Sequence, residues 1–318
     1  MDQCSGGSYP QHSNTPSLQS PMFHLHRIES LDLPELAPYR TMKRPRDHCD
    51  QGIFVAESEK VVRRLLESPF QVVSALMPEK WLAVFEPLLR ARPEDIPIYL
   101  VEKKEVLEAL IGFSMFQGVM AVGRIPARTL LDDVLARSAT PRLFVAVDAL
   151  ANAENLGVLV RNCVAFGVQA LLVGETSSSP FLRRAVRNSM GTIFQLPVVE
   201  PPLLTHALKD LRRRGMRCLA AHPHAESWSS SFSLSLGAQP STQDKLKLEL
   251  QRKTISQADF SGDCCIVFGS EGHGISASVL EVCDEAVAVP MPPTVDSLNV
   301  GSAAAVFLYE VNRQRGKM

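Results

Sequence analysis

From about residue 52 onward, two rhythms of apolar residues alternate along the chain. Short, largely apolar runs at Gly52–Val55, Val72–Met77, Pro97–Val101 and Val119–Val122 read as strands. Between them the spacing is helical: Val61, Val62, Leu65 and Leu66 share one face of Glu57–Leu66, and Glu79–Arg90 and Lys104–Leu110 follow. This alternation predicts a small α/β domain over residues 51–125. A connection, 126–141, carries one further helix, Leu130–Arg137.

The alternation then resumes on a larger scale. Strands are expected at Leu143–Val147, Gln169–Val173, near Phe194–Val199, Arg217–Ala221, Cys264–Phe268 and Val287–Pro290. Helices are expected at Asn155–Phe166 with Asn155 as cap, Pro180–Asn188, Leu203–Arg214, Ser276–Cys283 and Ala303–Arg315. The fold class is α/β, with a parallel sheet in a second domain, 142–318. Two stretches lack either rhythm. Residues 1–50, rich in Ser, Pro, Gln and His, read as a disordered leader. Residues 223–260, with six serines in Ser227–Ser235, read as a surface insertion.

Composition narrows the class. The chain has 318 residues, 45% hydrophobic and 21% charged, with a net charge of −1, which fits a globular protein with a sizeable core. Seven cysteines without C-x-x-C spacing fit a reducing compartment; Cys163, Cys218, Cys264 and Cys265 lie in apolar runs and read as buried fillers. No run reaches membrane-span length and no signal pattern opens the chain, so the expected location is cytoplasmic. No metal site is expected, since the histidines are irregularly spaced and the His222-x-His224 pair has no further ligand at coordinating distance. Between Phe181 and Arg217 eight Lys/Arg, among them Arg183, Arg184 and Arg187, stand against Glu200 and Asp210 alone. That imbalance reads either as a solvated helix face or as a surface for phosphates.

Chemistry concentrates after three strands of the second domain. One segment is Asn155-Leu156-Gly157-Val158-Leu159-Val160-Arg161. Another, Phe268-Gly269-Ser270-Glu271-Gly272-His273-Gly274, holds three glycines that bring backbone N–H groups toward a ligand. The third runs Val289-Pro290-Met291, then Ser297-Leu298-Asn299, with Ser297 or Asn299 as the cap of the last helix. Open α/β sheets bind ligands at the carboxyl ends of their strands, where all three lie.

In these segments the chain resembles the SpoU/TrmH family of RNA ribose 2′-O-methyltransferases, of the SPOUT superfamily, over about Pro141–Arg315. Gly52–Val122 is similar to the ribosomal-protein-L30e-like substrate-binding domain that often precedes it. The resemblance implies a trefoil knot, a homodimer, and S-adenosylmethionine held by backbone of Phe268, Gly269, Ser270, Gly272, Gly274, Val289, Pro290, Met291 and Leu298. It implies that Arg161 acts across the dimer interface. A guanidinium keeps its proton up to about pH 12, so a charged Arg161 that fixes a phosphate is the easier role. Asn155 would orient Arg161 or the ribose, Glu271 would hold the loop or Arg161, and Ser297 and Asn299 would shape the target pocket. Ser270 stands where many members have Asn, and Gly301-Ser302 where a Ser-Val pair is frequent. The expected substrate is rRNA, with tRNA second. The rival expectation is a non-catalytic RNA-binding or ribosome-assembly protein.

Overall fold

A computed structural model of the chain describes residues 23–102, 107–108, 118–222, 251–292 and 294–317. Its first unit is a five-stranded sheet in the order Phe23–Ile28, Ile96–Val101, Val72–Pro78, Met120–Arg124, Ile53–Glu57. In chain order this unit runs β1 (Phe23–Ile28), α1 (Ala37–Arg40), α2 (Pro45–Asp50), β2 (Ile53–Glu57), α3 (Glu59–Leu66), β3 (Val72–Pro78), α4 (Leu82–Arg90), β4 (Ile96–Val101) and β5 (Met120–Arg124). The amphipathic α3 buries Val61, Val62, Leu65 and Leu66, the face its spacing predicts. Most of the expected helix Lys104–Leu110 lies outside the described residues.

The leader is a correction. Residues 23–50 are built into this unit: β1 pairs in parallel with β4, and Ile28, Leu36, Tyr39 and Met42 pack with Ile53, Val55 and Leu76. The Tyr39 hydroxyl and Ser74 Oγ share a buried hydrogen bond of 2.8 Å. These elements are four to six residues long and interrupted by Pro34, Pro38 and Pro45, too short for a period to register. Residues 1–22 lie outside the described residues.

The second unit follows helix α5 (Leu131–Arg137). It contains β6 (Leu143–Val147), α6 (Ala153–Ala165), β7 (Ala170–Val173), α7 (Arg183–Asn188), β8 (Val198–Val199), α8 (Leu204–Arg213) and β9 (Arg217–Ala221). It closes with β10 (Gln251–Thr254), β11 (Cys264–Phe268), α9 (Ala277–Leu280), β12 (Glu285–Ala288) and α10 (Val300–Gln314). Seven strands pair in parallel in the order β10-β12-β9-β11-β6-β7-β8. A parallel sheet covered on both faces needs continuous apolar strands, and every residue of β6 and β11 is buried.

Three further corrections follow. The strand expected near Phe194–Val199 is a 3-10 turn, Thr192–Gln195, entered through Gly191 at φ +78°, and only Val198–Val199 joins the sheet. Residues 251–260 are not surface insertion: Gln251–Thr254 forms the edge strand, and Ile255, Ala258 and Phe260 are buried. The Ser-rich part, 223–250, lies outside the described residues. The basic imbalance of 181–217 is largely cancelled in three dimensions. Arg212 pairs with Asp284, Arg213 with Asp210, Arg214 with Asp132 and Asp210, and Arg217 with Glu285. Asp284, Asp132 and Glu285 lie 72, 82 and 68 residues from their partners, so a local count misses them.

The two units share one hydrophobic core. Phe54 and Phe70 of the first meet Phe181 and Phe194 of the second at ring separations of 5.4–6.0 Å. Beside them Glu57, its side chain 5% exposed, binds Arg183 and lies 3.4 Å from Arg187. Arg64 donates to the Met190 carbonyl at 2.7 Å. An ion pair this buried is worth little against an apolar pair but is expensive to break on one side. It fixes how the units meet.

Candidate active site

The carboxyl ends of β9, β11 and β12 open onto one cleft of about 380 Å³, within the range that encloses a small ligand. Its floor is Phe268 and Phe307, packed edge to face at 5.7 Å. Hollows at the junction of the units and beside Lys209–Arg217 are larger, about 990 and 670 Å³. They lie at the amino ends of the strands, where open sheets do not place ligands.

One wall is the turn Gly269–Gly274. It closes on itself: Ser270 N–H donates to the Gly274 carbonyl at 3.0 Å, and Gly274 N–H returns to the Ser270 carbonyl at 2.9 Å. A Cβ on Gly269 would lie 2.1 Å from the Gly274 carbonyl carbon, so only glycine fits. Gly274 has φ +68°. Behind the turn, the buried Asp148 at the end of β6 accepts from Ser276 N–H at 2.7 Å, and its own N–H donates to the Phe268 carbonyl. Sequence reasoning misses Asp148; the available signal is a charged residue closing the apolar run Leu143–Val147. Ser276 occupies the cap position of α9, but its side chain makes no capping bond.

The opposite wall is the approach to α10: Val289, Met291 and Asp296 to Leu298, then Val300 and Ala303. Of the nine residues expected to hold a cofactor, eight line the cleft, and Pro290 sits between Val289 and Met291 without lining it. His222, His273 and Asp296 also line it, which their sequence neighbourhoods do not reveal. Among the described residues no cluster of His, Cys, Asp or Glu is arranged to hold a metal.

Three segments far apart in sequence meet at the cleft's edge. The cap of α6 is Asn152, not Asn155: its Oδ1 accepts from the N–H groups of Glu154 and Asn155. This leaves the Asn155 side chain free to face the site. It donates from Nδ2 to Glu271 Oε1 and accepts at Oδ1 from Asn299 Nδ2 at 3.0 Å. Asn299 in turn caps α10, its Oδ1 accepting from Gly301 N–H at 2.9 Å. Ser297 lines the same cleft and is exposed.

The helices carrying these groups are locked together. Gly301 lies against Val158, where a Cβ would come within 2.6 Å, and Asn162 Nδ2 donates to the Gly301 carbonyl at 2.6 Å. Asn312 Nδ2 donates to the Phe166 carbonyl at 3.0 Å. Gly157 lets α6 approach α7, since a Cβ there would lie only 2.5 Å from the Ala185 carbonyl oxygen.

The cationic residues divide. Arg161 is exposed on α6 and makes no hydrogen bond or ion pair with the described residues, Glu271 and Asn155 included. Arg184 is 69% exposed and lies 3.7 Å from Glu154 at the start of α6; Arg187 is half exposed. Arg183, expected to face RNA, is 12% exposed and committed to Glu57, so it does not face a ligand.

A parallel α/β unit with a backbone-lined cleft at its strand ends, an asparagine–glutamate edge and an exposed arginine belongs to the class of open-sheet proteins that bind a small ligand at the carboxyl ends of their strands. The profile of the SpoU rRNA Methylase family matches residues 142–309, and the chain belongs to that family of RNA methyltransferases. A relative from Mycobacterium ulcerans, named as an uncharacterized tRNA/rRNA methyltransferase, is 32% identical over 234 residues, 72% of this chain. The matched region spans 66% of that relative's length. Among solved structures, an RNA 2′-O ribose methyltransferase is 25% identical with a TM-score of 0.69, covering 91% of this chain and 99% of its own. An AdoMet-bound rRNA methyltransferase from Sinorhizobium meliloti has the same fold, at a TM-score of 0.72 and 18% identity, covering 91% and 98%. The residues present fit S-adenosylmethionine as cofactor: Gly272 and Gly274 have open space where a Cβ would stand, so a ligand can approach their main chain closely, and Phe268, Met291 and Leu298 add apolar surface.

Proposed function

We propose that this chain is an S-adenosylmethionine-dependent RNA ribose 2′-O-methyltransferase acting on ribosomal RNA. The observation that carries the reading is the run of hydrogen bonds from Gly301 through Asn299 and Asn155 to Glu271, which joins the three sequence motifs beside one cleft. The cofactor supplies an electrophilic methyl group on a sulfonium. The turn Gly269–Gly274 with Met291 and Leu298 holds it through main chain, and Ser297 and Asn299 face the incoming ribose.

Arg161 then serves a second copy of the chain. It stands on α6 with exposed Val158, beside exposed Val306 and Tyr309 on α10, an apolar face suited to a homodimer. A charged Arg161 from one copy fixes a phosphate of RNA bound in the other's cleft; its guanidinium holds its proton at every working pH. Arg184 and Arg187 extend phosphate contact toward the first unit, which we read as an L30e-like RNA-binding domain. Because positioning a reactive methyl is most of the task, these contacts carry most of the rate. The C-terminal segment is read as threaded through a loop, giving a trefoil knot. The choice of rRNA over tRNA rests on the presence of a separate RNA-binding unit, and the cytoplasm is the expected place.

The test is tritium transfer from labelled S-adenosylmethionine to rRNA and tRNA from cells lacking this gene, with wild type beside Arg161→Ala. Label in one rRNA species with wild type, and almost none with the variant, is expected. Label in tRNA overturns the substrate, and cofactor binding without label in any RNA overturns the enzyme in favour of an RNA-binding protein.

A further inference from the structure

We infer that Glu271 is the proton acceptor of the reaction: Asn155 pins its Oε1, and its Oε2 takes the proton of the ribose 2′-hydroxyl. The inference rests on the functional reading above and assigns a role within it.

The direction of every link in the run is determined by chemistry. A helix-end amide only donates, so Gly301 N–H fixes the Asn299 oxygen toward itself. The Asn299 amino group is then left for the Asn155 oxygen, and the Asn155 amino group for Glu271. An asparagine side chain has one oxygen and one NH₂, so no step can be reversed without facing two donors or two acceptors. The run therefore ends in an obligatory acceptor, the carboxylate of Glu271. Only Oε1 is engaged; Oε2 makes no hydrogen bond with the described residues, and Glu271 lines the cleft with Ser297 and Leu298.

A half-satisfied, exposed carboxylate at the edge of a methyl-donor cleft suits the proton balance of the transfer. As the 2′-oxygen forms its bond to the methyl carbon, the carbon–sulfur bond breaks and its electron pair stays on sulfur. The oxygen grows far more acidic than an alcohol during that step. Its O–H electron pair remains on oxygen to give the ether, the proton passes to Glu271 Oε2, and water removes it after product leaves. A weak base suffices because the acidity arises in the transition state; what matters is that the base is already in place. Arg161, permanently protonated, is suited to the phosphate and not to this proton.

The test compares Glu271→Gln and Glu271→Asp with wild type. Glutamine keeps an oxygen for Asn155, so the turn stays braced while the base is lost. Positioned bases contribute roughly 10²–10⁴-fold, so Glu271→Gln is expected to lower kcat at least ~100-fold. The Kd for S-adenosylmethionine by calorimetry, the Kd for RNA by filter binding and the Tm should each stay near wild type, the two Kd values within about threefold. Glu271→Asp should recover part of kcat. A Glu271→Gln kcat within about threefold of wild type overturns the assignment. So does a loss matched by weaker donor binding, which would make Glu271 a brace of the turn. Wild-type protein that labels no RNA defeats the functional reading itself, and is distinguished because it appears before any variant is compared.

Discussion

Replacing Gly269 by alanine attacks the cleft at its least forgiving atom. The new Cβ would stand 2.1 Å from the Gly274 carbonyl carbon and 2.3 Å from both the Gly274 oxygen and Ile275 nitrogen. All three are backbone, so no side chain can swing aside; the turn itself must move by more than ~1 Å to restore ordinary contact. That movement breaks the paired Ser270–Gly274 hydrogen bonds, worth about 0.5–1.5 kcal/mol each. Overpacking adds about 1–3 kcal/mol, for a local cost on the order of 2–6 kcal/mol. Since the turn is the wall that grips the cofactor, even about 2 kcal/mol corresponds to about 30-fold in Kd. Calorimetric titration with S-adenosylmethionine should show at least that weakening. Gly262→Ala, with nothing within 4 Å of its Cβ, is the control and should titrate like wild type. Affinity within about threefold of wild type for Gly269→Ala would refute the closed-turn account.

Three further outcomes are expected. Glu57→Ala strands the buried Arg183 charge at the junction of the units, a loss of about 3–5 kcal/mol; the Tm should fall by several degrees, and an unchanged Tm would show that the ion pair is not structural. Asn152→Ala removes the cap of α6 at a cost of about 0.5–2 kcal/mol, and should also lower methyl transfer because Asn155 is re-aimed; a stability loss with full activity would separate the two roles. Burial raises the thiol of Cys264 to about 11 and that of Cys283 to about 12, so the neutral thiol is favoured in the folded state. Their stabilisation is complete below the unfolded thiol range and is lost as pH rises from about 9 toward 11. Melting temperature should fall across that window, and thiol reagents at about pH 8, below that range, should reach the exposed Cys49 well before the buried Cys163, Cys218, Cys264, Cys265 and Cys283, which wait for unfolding. Equal labelling rates for Cys49 and the buried thiols would contradict that burial.

Much of the catalytic unit is legible in the chain because its strands are fully buried. A strand covered on both faces must be an unbroken apolar run, so Leu143–Val147 and Cys264–Phe268 stand out to the residue. The glycines of the turn are equally legible, since nothing else fits where backbone meets backbone. What escapes is whatever depends on partners remote in sequence. Arg183 reads as a surface cation because Glu57 lies 126 residues away. Asn155 reads as a helix cap because Asn152 and Asn155 are both good caps, and only the position of Glu271 shows which one is free. The short elements of residues 23–50 gain their order from the sheet edge and the Tyr39 pocket, and not from any periodicity of their own.

The place of β11 in the sheet has a consequence for how the protein is made. It lies between β6 and β9, yet it leaves the ribosome after both of them. Until Cys264–Phe268 emerges, the two halves of the sheet have no shared neighbour, and the facing edges of β6 and β9 wait uncovered. Both walls of the cleft come from still later residues, between Phe268 and Phe307, together with the end of β9. Translation that halts near Phe260 would leave a chain with its first unit complete and no place for the methyl donor. Such a fragment would also display the bare edges of β6 and β9, a natural target for chaperones and for proteolysis.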